Sequence, residues 1–134
     1  MSVTHFDGPI AQGAGSMISI TADTTLTDAH NGAVVLLDAV GEAITLPAPS
    51  AGYKVKFILT ADTATSDWVI TATGAIIECS VTAGGIVVLA AAETAITIDQ
   101  SAGPLHGDWI ELISDGTSWF VSGQMSVTLA VSFA

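Results

Sequence analysis

From residue 17 onward the chain is built of short runs rich in Val, Ile and Thr, many of them alternating apolar and polar residues, separated by Gly, Asn, Asp and Ser. The runs fall at 17–21, 33–38, 43–46, 54–60, 68–72, 75–79, 85–90, 95–99, 108–114, 117–122 and 125–133. A period of two puts successive side chains on opposite faces of a strand, and branched side chains suit a pleated surface. Pro9, Pro47, Pro49 and Pro104 all fall outside the strand interiors, where a missing N–H does no harm. Short strands at even spacing predict an all-β, single-domain antiparallel β-sandwich or β-barrel over residues 17–134. Helix is expected only as one turn within 24–31 and another within 90–94. Residues 1–16 are rich in small residues, contain Gly8-Pro9 and show no period. They are expected to form an extended N-terminal arm, either frayed or ordered on a neighbouring subunit.

The clearest stretch is 107–122. Asp115-Gly116 sits between two alternating runs and suits a two-residue type I′ turn. That turn would set Leu112 opposite Trp119 and Ile110 opposite Val121, all on one face. The other face mixes Trp109, Glu111 and Ile113 with Ser118, Phe120 and Ser122, so the hairpin is expected to pack on both sides near the domain centre. A shift of 52 residues lays 32–37 on 84–89, 43–46 on 95–98 and 57–58 on 109–110. This echo suggests two similar β-meander halves, unless a low-diversity composition produces it by chance.

Charge narrows the function. The net charge is −11, and Lys54 and Lys56 are the sole basic residues apart from three histidines. Such a chain has little with which to neutralise phosphates or an anionic bilayer, so neither nucleic acid nor membrane is an expected partner. The acidity suits keeping an apolar surface in solution. Cys79 is alone, so no intrachain disulfide forms, and no basic segment followed by an apolar run marks a signal peptide. Synthesis in a cytoplasm is the expectation.

Catalytic and metal chemistry find little support. His5, His30 and His106 are scattered, and one cysteine makes no zinc framework. The loop 62–67 lacks the glycine and terminal glutamate of a calcium loop. Asp108 and Glu111 point to opposite faces of one strand and do not converge. Trp68, Trp109 and Trp119 read as core or interface residues ahead of a sugar platform. No enzyme, cofactor or metal is expected.

Three segments carry a resemblance: Met1-Ser2-Val3-Thr4-His5-Phe6-Asp7-Gly8-Pro9, then 43–57 with Leu46-Pro47-Ala48-Pro49, then 107–124 with Ser114-Asp115-Gly116-Thr117-Ser118-Trp119. In that order the chain resembles the small head decoration, or cement, proteins of tailed bacteriophages over nearly its whole length. The resemblance implies a structural virion protein that binds the major capsid protein lattice as a homotrimer on the outer capsid surface and stabilises the head. The contact is expected to use Thr4, His5 and Phe6 of the arm, Trp109 and Phe120 of the hairpin, and Leu129, Val131 and Phe133 of the C-terminal run. Leu-Pro-x-Pro and Ser-Asp-Gly-Thr-x-Trp turns also resemble those of phage tail-fibre and spike domains. The alternative is therefore a fibre or spike domain that binds a host receptor or glycan.

Overall fold

A computed structural model describes residues 16–62 and 64–134. Among these residues twelve strands form two sheets: β1 (Met17–Ile20), β2 (Thr24–Thr25), β3 (Val34–Leu37), β4 (Ala43–Thr45), β5 (Lys54–Leu59), β6 (Trp68–Thr71), β7 (Ile77–Ala83), β8 (Ile86–Glu93), β9 (Ala95–Ile98), β10 (Trp109–Ser114), β11 (Trp119–Met125) and β12 (Val131–Phe133). The larger sheet has the order β1-β3-β5-β10-β11-β7-β8, and the smaller one β12-β9-β6-β4-β2. The all-β sandwich expected from the alternation is what the chain forms. Its sheets are mixed, however, and not antiparallel.

The reason lies in the path of the first half. The chain crosses between sheets at every step from β1 to β6, so each strand pairs in parallel with the strand two before it. This is a short coil, not a meander. Alternation reports which face of a strand is buried but not which strand comes next, so the sequence pattern looks the same for both. The 52-residue echo aligns β3-β4-β5 with β8-β9-β10, and both triplets run from the larger sheet to the smaller and back. Their neighbours differ: β3 pairs with β5, whereas β8 lies at the far edge from β1. The two halves are therefore not β-meanders.

The hairpin β10–β11 occupies the middle of the larger sheet. Its register differs from the expected one by two residues: Leu112 pairs with Val121, Ser114 with Trp119 and Ile110 with Gly123. The Asp115 carboxylate explains the change. Its Oδ1 accepts the N–H groups of both Thr117 and Ser118, each at 2.8 Å, so four residues make the loop in place of two. The slip is even-numbered, so the faces survive. Ile110, Leu112, Trp119 and Val121 all point into the core.

That core lies between the sheets. Inward residues of the larger sheet, among them Val35, Phe57, Ile110 and Val81, meet Ile44, Trp68, Ile70, Ile96 and Ile98 of the smaller. Trp119 lies edge-on to Tyr53, with ring centroids 5.3 Å apart. The Tyr53 hydroxyl donates to the Thr27 carbonyl at 2.6 Å, and the Trp68 indole N–H donates to the Asp38 carbonyl at 2.9 Å. The turn expected within 24–31 is a single 3-10 turn at Asp28–His30. Two other local expectations change. Residues 90–93 continue strand β8 and make no helical turn, and the run 125–133 is broken after Met125, so that only Val131–Phe133 is strand.

Candidate interaction surfaces

Among the described residues, the features that a partner would meet lie on the outer face of the larger sheet, at its edge and in the turns. The outer face of the larger sheet carries both lysines. Lys54 Nζ lies 3.6 Å from Glu111 Oε2, and Lys56 Nζ stands 4.5 Å from the centroid of the Trp109 ring. Trp109 is thus half-buried under a cation of its own chain. Beside it, Ile113 and Phe120 pair across the hairpin and remain 41% and 47% exposed. The expected second packing layer over this face is absent among the described residues, leaving Phe120 available for contact.

The C-terminal candidates separate. Leu129 is 76% exposed in the turn before β12. Val131 is buried in the core and pairs with Ile98, so it is corrected from a contact residue to a core residue. Phe133 packs partly against the core. Thr4, His5 and Phe6, and the arm up to residue 15, lie outside the described residues.

A surface that the sequence pattern does not announce lies on β8. The larger sheet has seven strands against five, and β8 at its margin is poorly covered on either side. Ile86, Val87 and Leu89 are accordingly 56%, 58% and 73% exposed. Gly84, just before the strand, adopts φ +56° and passes so close to Thr128 that a Cβ would collide with its Oγ1. This close approach sets the Leu129 turn beside the β7–β8 turn. Between β8 and the hairpin runs a groove of about 290 Å³, lined by Glu78, Cys79, Ser80, Ala90, Phe120 and Val121.

The carboxylates have mostly local employment. Side chains of Asp23, Asp38, Asp62, Asp67, Asp99, Asp108 and Asp115 each accept a backbone N–H. These bonds fix corners of the coil and loops, so much of the acidity is turn chemistry. Asp108 is the most heavily used. It is buried and takes the N–H groups of Leu105 and Ser126 at 3.1 and 2.9 Å, and the Ser126 hydroxyl at 2.5 Å. Asp108→Asn would turn an amide donor toward one or more of these donors and is expected to cost about 1–2 kcal/mol in urea unfolding. An unchanged midpoint would show that the clamp carries no stability. A depression of about 180 Å³ lies over it, between Trp109, Gln124 and Ser126.

Glu42 differs from these aspartates. It is 1% exposed, and no N–H or hydroxyl group donates to either carboxyl oxygen; the polar group beside it is the Asp38 carboxylate, to which a protonated Glu42 can donate. Burial first, then neighbouring Asp38, pushes its carboxyl up to about 8, while Glu42 in turn holds Asp38 below the usual carboxylate range.

His30 and His106 serve structure. His30 Nδ1 accepts the Thr27 N–H at 2.9 Å, and His106 Nδ1 lies 2.5 Å from Asp62 Oδ1 on an exposed loop. Among the described residues no three His, Cys, Asp or Glu are placed to hold a metal ion, and no helix is long and apolar enough to cross a membrane. No family model matches this chain, and neither a curated protein nor a solved structure matches it significantly.

Proposed function

We propose that this chain is a non-enzymatic decoration protein of a tailed-phage head, binding the outer surface of the major capsid protein lattice as a homotrimer. The observation that carries the reading is the meeting of two of the three segments behind the resemblance. Residues 43–57 and 107–124 are far apart in sequence, yet β5 pairs with β10 along its length. Gly52 N–H donates to the Ser114 carbonyl and Ser114 N–H to the Tyr53 carbonyl, each at 2.9 Å, while Tyr53 and Trp119 stack edge to face. The shared motifs thus form one structural unit.

The surface supports this reading in two ways. Both lysines are engaged by Glu111 and Trp109, which suits a protein outside the nucleic acid. The exposed apolar residues are distributed over an open sheet face, an edge and a turn, as contact surfaces for protein would be. The mechanism is linkage: a protein that binds only the assembled lattice stabilises it against rupture. Trimeric attachment multiplies modest contacts through effective concentration.

The test is a copy number, taken as the ratio of this chain to the major capsid protein in purified virions. Hundreds of copies in fixed ratio are expected. A handful would move the chain to the tail, where the polar depression beside Trp109 favours the receptor- or glycan-binding reading. Absence from particles would refute both.

A further inference from the structure

We propose that the β8 edge, with Leu129 beside it, is where copies of this chain meet one another. The inference is independent of the capsid reading and applies equally to a head or a tail protein.

A sandwich of two open sheets has four edges, and an edge strand exposes unpaired N–H and C=O groups to any passing chain. Three of the four edges here are blunted by shortness: β1 has four residues, β2 two and β12 three. The fourth, β8, has eight residues and is the longest strand among the described residues. Charged side chains, prolines and bulges are the usual guards of an edge. Between Gly84 and Ala91 the sequence Gly-Gly-Ile-Val-Val-Leu-Ala-Ala contains no charge and no proline. The one irregularity, a bulge opposite the Ile77–Cys79 step with Ala92 at φ +58°, comes only at the strand's end. Among the described residues, Ile86 to Ala91 is therefore a regular, unguarded edge that is apolar on both faces.

Charge identifies the occupant. A basic partner would gain most where the carboxylates are, and Gly84 to Ala91 offers it none; the carboxylates of β7 and β8 are Glu78, in the adjoining groove, and Glu93, at the strand's end. An acidic partner is repelled over most of the surface and is admitted where carboxylates are missing. A second copy, with the same net charge of −11, is such a partner. Leu129 extends the strip beside the β7–β8 turn, and the groove leading to Phe120 gives a neighbouring side chain a place to insert.

The full-length chain is tested by analytical ultracentrifugation across a dilution series, with hydrogen exchange of the β8 amides followed over the same series. The expected result is a discrete oligomer whose β8 protection falls as it dissociates. Val87→Glu with Leu89→Glu places carboxylates on exposed positions of the strip and is expected to raise the dissociation constant by at least about a hundredfold. Leu129→Glu, which lies in a turn and alters no strand, is expected to weaken assembly in the same direction. Met17→Glu and Leu105→Glu, exposed apolar sites off the strip, should leave assembly unchanged. A wild-type chain that is monomeric throughout the micromolar range overturns the proposal. So does an oligomer indifferent to both sets of strip substitutions, or β8 protection that persists unchanged on dilution, which would mean that the chain's own residues cover the edge.

Discussion

Trp119→Ala is expected to cost about 3–5 kcal/mol, a large part of the roughly 5–15 kcal/mol that holds a domain of this size together. Trp119 is fully buried in the central hairpin, paired with Ser114 on one side and Ile77 on the other. Its ring supports Tyr53, whose hydroxyl ties the sheet to Thr27. Removing the indole opens a cavity between two sheets that are held apart by many other side chains, so the site cannot collapse to fill it. Trp119→Phe should cost less than half as much. The indole N–H has no acceptor, so its loss removes no hydrogen bond, and a phenyl ring keeps part of the edge contact with Tyr53. Trp109→Ala, on the half-open outer face, should cost about 1 kcal/mol, close to the scale of an exposed cation–π pair. Urea unfolding of the three variants decides the matter. If Trp109→Ala were the most damaging, the outer face and not the inter-sheet layer would be the centre of the fold.

The legible part of this fold is what period two reports. Strand positions and the buried face of the hairpin follow directly from alternation, and most strand limits fall within two residues of the expected ones. What alternation cannot report is pairing. The parallel coil of β1 to β6 arises because each corner sends the chain to the opposite sheet, and the corner residues, such as Gly41 packed against the Ser66 carbonyl, contact partners distant in sequence. The hairpin register escapes the sequence because Asp115-Gly116 signals a tight turn by composition, whereas the Asp115 carboxylate is free to capture two N–H groups further on. Val131 looks like a contact residue because it belongs to an alternating run at the chain's end, but pairing with β9 turns it inward. The β8 strip is hidden for the opposite reason. A continuous apolar run reads as core, and only the unequal width of the two sheets reveals that it is uncovered.

Glu42→Gln is expected to make the protein more stable at pH 8 than the unsubstituted chain, and about equal to it near pH 4. In sequence, Glu42 belongs to a polar-looking corner, Asp38-Ala39-Val40-Gly41-Glu42, and nothing there predicts burial. In the fold its carboxyl is enclosed with no donor to its oxygens and lies beside the Asp38 carboxylate, and its value rises from 4.5 in the unfolded chain to about 8. A raised value means that the folded state keeps a proton the unfolded state releases. The stability is fully present below pH 4.5 and is lost as pH rises toward about 8, at up to about 1.4 kcal/mol per pH unit. Asp38 has the opposite sign. Its lowered value contributes stability above 3.8 that disappears as pH falls further, so its window lies below that of Glu42 and does not offset it. Glutamine has nearly the same shape and carries no proton to lose, and its amide turns a donor toward Asp38. The measurement is urea unfolding of both chains at several pH values between 4 and 9. The unsubstituted chain should weaken steadily across the window while the Glu42→Gln variant stays level. Parallel curves would show that Glu42 reaches water in the folded protein and that the corner opens more readily than its burial implies.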